Sequence, residues 1–305
     1  MALKAVALMG ATGVGKSALA LNLAEQLHTC IISCDSMQVY RGLDIGTAKP
    51  SGEEQIRVSH HLIDCVDLRE VCSAASWAEQ AAVIIAQENA AGRIPVVSGG
   101  TGLYLRTLLS GISKIPIENK EIREELKVLQ KLKGTPYLHA LLAEVDAQVA
   151  SRLSPNDSQR VLRALSVYRS TGVPLSEWQT QNKQQQADID CPVFVLEVPR
   201  EKLRENLKER FHAMLEAGWL QEVYWLLEQG LDDAHPAMRA VGYRQLIAHL
   251  RGQCTLDQAI SNGITATRRY AKRQQTWFRH QTEAVFGDTV SVREQIVEAL
   301  QSCRN

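Results

Sequence analysis

The stretch Gly10-Ala11-Thr12-Gly13-Val14-Gly15-Lys16-Ser17 constrains this chain more than any other. It follows an apolar run from Ala5 to Met9 and precedes a helix-patterned segment from Lys16 to His28. Strand, glycine loop and helix at the spacing G-x-x-x-x-G-K-[ST] form a phosphate cradle, the P-loop. Glycines let the backbone turn tightly enough for successive N–H groups to face an anion. The helix N-terminus adds its partial positive charge. Lys16 is placed to reach the outer phosphate, and the Ser17 hydroxyl to meet Mg²⁺. The pattern specifies a polyphosphate but not which one, nor its fate.

The next segments repeat the theme. Ile31-Ile32-Ser33-Cys34 is a short strand that ends at Asp35-Ser36-Met37-Gln38-Val39-Tyr40. In open α/β sheets ligands sit beyond the carboxyl ends of the strands, so Asp35 shares an edge with the P-loop. Asp35 also has the chemistry to cap the following turn. Ser76 to Ala91 has the period of a helix, and Ile94 to Ser98 that of a buried strand. That strand runs into a second glycine loop, Gly99-Gly100-Thr101-Gly102, which aims Thr101 at whatever the P-loop holds. The paired His60-His61 lack a third ligand at a telling spacing and read as structural.

After Gly111 the character changes. Glu118 to Leu132, Thr135 to Val145 and Ser158 to Thr171 have helical spacing, and no strand signal returns until Pro192 to Leu196. The expected architecture is therefore α/β: a P-loop NTPase-like parallel sheet core flanked by helices, 1–116 and 191–305, with an all-helical insertion domain at 117–190. Gln179 to Gln186 is a polar tract with little to bury, expected to be a loop. Further helices are expected at Lys202 to Met214, Leu220 to Gln229, Tyr243 to Leu250 and Leu256 to Gln281.

The formal net charge is +0, so any polyanion site is a local patch. One such patch is the run Thr267 to Arg279. It carries Arg268, Arg269, Lys272, Arg273 and Arg279, no acid, and Tyr270, Trp277 and Phe278 between them. It suits a nucleic-acid backbone, or equally a solvated basic helix with its aromatics in the core. The 7 cysteines form no C-x-x-C pair, which argues against zinc. They read as free thiols in a reducing compartment. With no segment long enough to span a bilayer and no room for a leader before the first strand, the expectation is a cytoplasmic, monomeric protein without membrane association.

Three function classes fit these residues. One is an ATP-using kinase with Asp35 as base. Another is a group transferase whose P-loop grips a diphosphate leaving group. The third is an RNA-binding GTPase-like module. The strand before Gly99 lacks the acidic Mg²⁺ ligand of ordinary NTPases, and no arginine-rich lid follows. The basic helix and the large insertion favour a bulky polyanionic substrate.

The ordered set Gly10–Ser17, Asp35-Ser36-x-Gln38-x-Tyr40, Asp44–Pro50, His60–Asp64, Gly99–Tyr104, Asn156-Asp157-x-x-Arg160-x-x-Arg163-Ala164-Leu165, Val241–Arg244 and Thr267–Arg279 resembles the bacterial tRNA dimethylallyltransferase (tRNA isopentenyltransferase) family over essentially its whole length. Two departures stand out. The P-loop has Gly-Ala-Thr-Gly-Val where the family usually has Gly-Pro-Thr-Ala before the variable residue, and Ser166 replaces a common Glu. The resemblance implies transfer of a dimethylallyl group from dimethylallyl diphosphate to N6 of an adenosine beside the anticodon, in tRNAs reading codons that begin with U. Mg²⁺ is the implied cofactor, and the tRNA anticodon stem-loop the partner. Asp35 and Thr101 are the implied catalytic residues, Thr101 through contact with the adenosine. Gly10, Ala11, Thr12, Gly13, Val14, Gly15, Lys16, Ser17 and Arg210 would bind diphosphate, Ser17 through Mg²⁺. The implied tRNA contacts are Asp35, Ser36, Met37, Gln38, Thr101, Arg123, Gln159, Arg160, Val161, Leu162, Arg163, Arg239, Ala240, Val241, Gly242, Tyr243 and Arg244. Because the donor arrives activated, the chemistry needs no nucleotide, and an ATP-binding label would follow from the motif's shape alone.

Overall fold

The computed structural model describes residues 2–113, 115–116, 119–181 and 188–302. The chain divides into two compact units, Met1–Leu109 with Ala187–Asn305, and Ser110–Gln186.

In the first unit the order is β1 (Val6–Gly10), α1 (Lys16–Gln26), β2 (Ile31–Cys34), β3 (His60–His61), α2 (Ala74–Ala90), β4 (Val96–Gly99) and α3 (Gly102–Ser110). It resumes with β5 (Val193–Leu196), α4 (Arg200–Glu216), α5 (Trp219–Glu228), α6 (Tyr243–Leu250), α7 (Leu256–Gln281), β6 (Ala284–Gly287) and α8 (Thr289–Ser302). The strands form one parallel sheet in the order β3-β2-β4-β1-β5-β6. Leu3–Lys4 and Ile189–Asp190 pair in a separate parallel ladder.

Parallel sheets are covered on both faces, so their strands are apolar throughout, and β1 is buried at every position. The pleat then sorts side chains between two cores. Val6, Leu8, Phe194 and Leu196 pack with Leu19 and Leu23 of α1 and with Val292 and Ile296 of α8. Ala7, Met9, Val193 and Val195 point the other way, into the core that holds Trp77 of α2 and Leu105 of α3. Trp77 meets its polar need by donating Nε1–H to the Ser33 carbonyl at 3.0 Å. Ser73 starts α2 by accepting the Ser76 amide at 3.0 Å, and Thr255 and Gln258 start α7 with a reciprocal capping box. Among the described residues no helix is long and apolar enough to cross a membrane.

This topology gathers strand ends. Register pairs Gly99 with both Met9 and Cys34, so the loops after β1, β2 and β4 start side by side. The approach is close enough that a Cβ on Gly99 would lie 2.1 Å from the Cys34 carbonyl oxygen.

The second unit packs helices Lys120–Lys133, Thr135–Val145, Ser158–Thr171 and Leu175–Gln181 around Leu126, Leu138, Leu142, Val161 and Leu165. Asn119 caps the first by accepting the Glu121 amide at 2.8 Å. The tract expected as a loop from Gln179 begins inside a helix, since Gln179–Gln181 form the last turn of Leu175–Gln181. Residues 182–186, the rest of that tract, lie outside the described residues, as does Cys303. Sequence periodicity also missed β3, β6 and α8. Two-residue β3 and half-buried, four-residue β6 are edge elements, too short for a period to register.

Candidate active site

A cavity of about 620 Å³ opens where those strand ends meet. The P-loop lines it with Thr12, Gly13, Gly15, Lys16 and Ser17, and the turn after β2 with Asp35, Ser36, Met37 and Gln38. Arg210 of α4, Arg239, Ala240, Val241 and Tyr243, and Tyr270, Arg273 and Gln274 of α7 extend its wall. Leu207, Phe211, Met214 and Trp219 supply an apolar side. Gly10, Ala11, Val14, Thr101, Gly242 and Arg244 do not reach this lining.

Local geometry explains the P-loop's glycines. Gly13 and Gly15 sit at φ 84 and 94, where a Cβ is strained. Gly15 is the left-handed N-cap of α1, which has no side-chain cap and no acid in its first turn. Nothing in the helix competes with an anion for those amides. One amide is already committed, because the Thr12 N–H donates to Gln274 Oε1 at 2.9 Å. The cradle is therefore one donor smaller than the motif suggests.

Lys16 folds back to donate from Nζ to the Ala11 carbonyl at 2.6 Å. Burial first, then the Arg210 charge, push its ammonium down to about 7, against a smaller upward pull from Asp35. Burial also lowers Arg210, which Asp35 partly offsets, and Arg210 has no ion pair among the described residues. Two cations crowded into one cavity make a site that anions stabilise. Asp35 is both a turn cap and a charge in the cavity. Its Oδ1 caps the turn by accepting the Met37 amide at 2.8 Å, while its charge acts on Lys16, Arg210 and Tyr270 across the cavity.

A model of the IPP transferase family matches residues 38–281. The chain belongs to the IPP transferase family. A tRNA dimethylallyltransferase of Rhodospirillum centenum is 48% identical over 90% of this chain and 88% of that protein. One from Halorhodospira halophila is 48% identical over 91% and 90%. The solved tRNA isopentenylpyrophosphate transferase of Bacillus halodurans superposes with TM-score 0.69 at 33% identity, over 98% of this chain and 97% of that one. A eukaryotic dimethylallyltransferase acting on tRNA gives TM-score 0.72 at 28% identity, over 94% and 74%.

The second glycine loop is expected to aim Thr101 at whatever the P-loop holds, but Thr101 does not line the cavity. Instead the Thr101 hydroxyl accepts the Ser36 amide at 3.0 Å and braces the turn that carries Asp35. Val161 and Leu162, expected at the RNA, are buried in the helical core of the second unit, because their apolar side chains outweigh any pull toward phosphate. On the same helix Gln159 and Arg160 are exposed, Arg163 is half-buried, and Arg160 pairs with Asp157 at 3.6 Å. Arg123 is half-buried in that unit. The basic run resolves both ways. Phe278 is fully buried and Trp277 packs against Gly102, whereas Arg268, Arg269, Lys272 and Arg273 are exposed. Arg279 pairs with Glu197 at 2.7 Å.

Sequence reasoning missed one support, Glu222, and gave the other, Gln38, only a contact with RNA. Glu222 of α5 accepts the amides of Asp44, Ile45 and Gly46 at 2.8, 2.7 and 3.1 Å and the Tyr243 hydroxyl, which fixes one wall of the cavity. Gln38 holds the same loop from the other side, donating to the Thr47 and Ala48 carbonyls at 3.2 and 3.1 Å. A lone Glu in a helix carries no local signal of either role.

Folding separates the histidine pair: His61, without His60, brings a ligand atom within 4.8 Å of those of Cys30 and Glu88. Two of these groups are already engaged. Both Glu88 oxygens accept from Arg93, at 2.7 and 2.9 Å, and the Cys30 thiol hydrogen-bonds to Glu88. Burial and Glu88 push that thiol up to about 12. The network lies at the amino end of β2, away from Asp35 at the carboxyl end. Mg²⁺ fits better at the P-loop. There the Ser17 hydroxyl is exposed in the cavity with no hydrogen-bond partner among the described residues, a hard oxygen donor beside the phosphate nest.

Proposed function

We propose that this protein transfers a dimethylallyl group from dimethylallyl diphosphate to N6 of an adenosine beside the anticodon of tRNAs reading codons that begin with U. Prenyl transfer to tRNA is the activity named for its relatives. The observation that carries the mechanism is the sharing of one cavity by the P-loop amides, two crowded cations and Asp35.

An exocyclic amine is a weak nucleophile, and its proton needs an acceptor as the C–N bond forms. The Asp35 oxygen not used by the turn takes that proton. The allylic C–O bond breaks as C–N forms, and its electron pair leaves with diphosphate. The remaining P-loop amides, protonated Lys16 and Arg210 stabilise that charge. Mg²⁺, held by Ser17 and the diphosphate oxygens, would neutralise part of the leaving group's charge. Leu207, Phe211 and Met214 shelter the allylic cation from water. The adenine must leave its stack, which costs a few kcal/mol and least in a loop. In the second unit Arg123, Gln159, Arg160 and Arg163 contribute to anticodon stem-loop binding, while Arg239, Arg244 and the exposed cations of α7 hold RNA phosphates.

Asp35→Asn keeps the turn-capping oxygen and removes the base. Turnover should fall by roughly 10²–10⁴, with tRNA affinity unchanged in a filter-binding assay. Near-normal turnover would remove Asp35 from the mechanism. In the same assay, product formed with dimethylallyl diphosphate and no nucleotide separates prenyl transfer from kinase chemistry.

A further inference from the structure

Gln274 sits in the middle of α7, the helix with the exposed arginines, and is 8% exposed. Both ends of its amide are used, and both partners are catalytic loops. Oε1 accepts the Thr12 N–H of the P-loop at 2.9 Å, and Nε2 donates to the Gly100 carbonyl of the second glycine loop at 2.9 Å. The partners dictate the orientation, because a backbone N–H can only donate and a carbonyl only accept.

The surroundings are built around this contact. A Cβ on Gly100 would lie 2.2 Å from Nε2, so glycine there admits the clip. One helical turn on, Trp277 occupies the space above Gly102, where a Cβ would lie 2.2 Å from its ring. Thus α7 meets the second glycine loop at two successive turns of one face. Its other face carries Arg268, Arg269 and Lys272 into solvent.

We propose that Gln274 is a positioning residue for diphosphate. It withdraws the Thr12 amide from the phosphate nest and locks the P-loop to the Gly99–Gly102 loop, which sets the shape of the cradle from the cavity wall with both ends of its amide already committed. The side chain is specific to the task. Glutamate would set a second acceptor against the Gly100 carbonyl, asparagine is a methylene too short, and an apolar side chain would leave a buried N–H and C=O unpaired. This rests on the P-loop being the diphosphate cradle.

The test compares the unaltered protein, Gln274→Met, Gly100→Ala and the double variant. Each is titrated calorimetrically with inorganic pyrophosphate in Mg²⁺ and separately with an anticodon stem-loop RNA, after its fold is checked by melting. With the clip gone the two glycine loops must be ordered by the ligand itself, and that ordering cost should raise the pyrophosphate dissociation constant of Gln274→Met by about tenfold. The KM for dimethylallyl diphosphate should rise in step, with RNA affinity held within about twofold. Gly100→Ala, which pushes the same amide off its partners, should reproduce the defect, and the double variant should be no worse than either single one, the mark of a shared interaction. If Gln274→Met does not fold, Gly100→Ala carries the comparison. Pyrophosphate affinity within twofold of normal in a folded variant overturns the proposal. So does a parallel loss of RNA affinity, which would mark general structural damage. Failure of the unaltered protein to bind pyrophosphate would instead remove the cradle on which the clip depends.

Discussion

The Lys16 ammonium makes diphosphate binding pH-dependent in a direction fixed by its surroundings. In the free protein burial and Arg210 hold it at about 7, so near neutrality half the molecules carry it uncharged. A bound diphosphate contributes several negative charges and restores the protonated form, which raises the group's pKa in the complex. Above the free value and below the bound one, binding takes up a proton, and affinity weakens about tenfold per pH unit, or about 1.4 kcal/mol. The protonated fraction falls steeply between pH 7 and pH 8.5, so pyrophosphate should bind on the order of tenfold more weakly at the higher pH. The ligand's own ionisation opposes this trend, so Lys16→Arg is the reference, since its guanidinium stays charged throughout. The ratio of the two dissociation constants cancels the ligand. Isothermal titration in buffers of different ionisation enthalpy should show uptake of roughly 0.9 proton near pH 8 in the unaltered protein and close to none in Lys16→Arg. Parallel pH profiles for the two proteins, or a binding enthalpy blind to the buffer, would refute the reasoning.

Other consequences follow from individual side chains. Glu222→Ala strands three loop amides and the Tyr243 hydroxyl. It should cost about 1–2 kcal/mol of stability in urea titrations, since the Ile45 and Gly46 amides and the Tyr243 hydroxyl are partly buried while the Asp44 amide is exposed and can turn to water. The Ser166 hydroxyl is fully buried in the second unit with no hydrogen-bond partner among the described residues, so Ser166→Ala should stabilise the chain by about 1 kcal/mol, read as a higher urea midpoint. On α7, Arg268→Ala and Lys272→Ala should weaken tRNA binding and reduce the slope of log affinity against log salt by about 0.7–0.9 for each phosphate no longer neutralised. An unchanged slope would assign those side chains to solvent alone.

Covalent neighbours were legible. The P-loop, the strand before it and the helix after it lie in one continuous segment, and a cradle made of successive amides needs nothing from elsewhere to be recognised. The exit of β2 at Asp35 and the second glycine turn after β4 were legible for the same reason. Several helices, such as Thr135–Val145, Ser158–Thr171 and Leu256–Gln281, matched their periodic patterns end to end.

Packing decided the rest. That Asp35 faces Lys16 and Arg210 depends on β2 and β1 both pairing with β4, a fact of sheet order that no local pattern records. The inward turn of Val161 and Leu162 came from the core of the second unit, not from the charged residues around them. Glu222 and Gln274 gained their roles only when distant helices docked, with Gln274 meeting Thr12 across 262 positions of chain. Sequence determines which groups can hold a phosphate, because that chemistry is local. Only the tertiary structure decides which side chains hold those groups still, because a hydrogen bond between distant segments exists only after burial has brought them together.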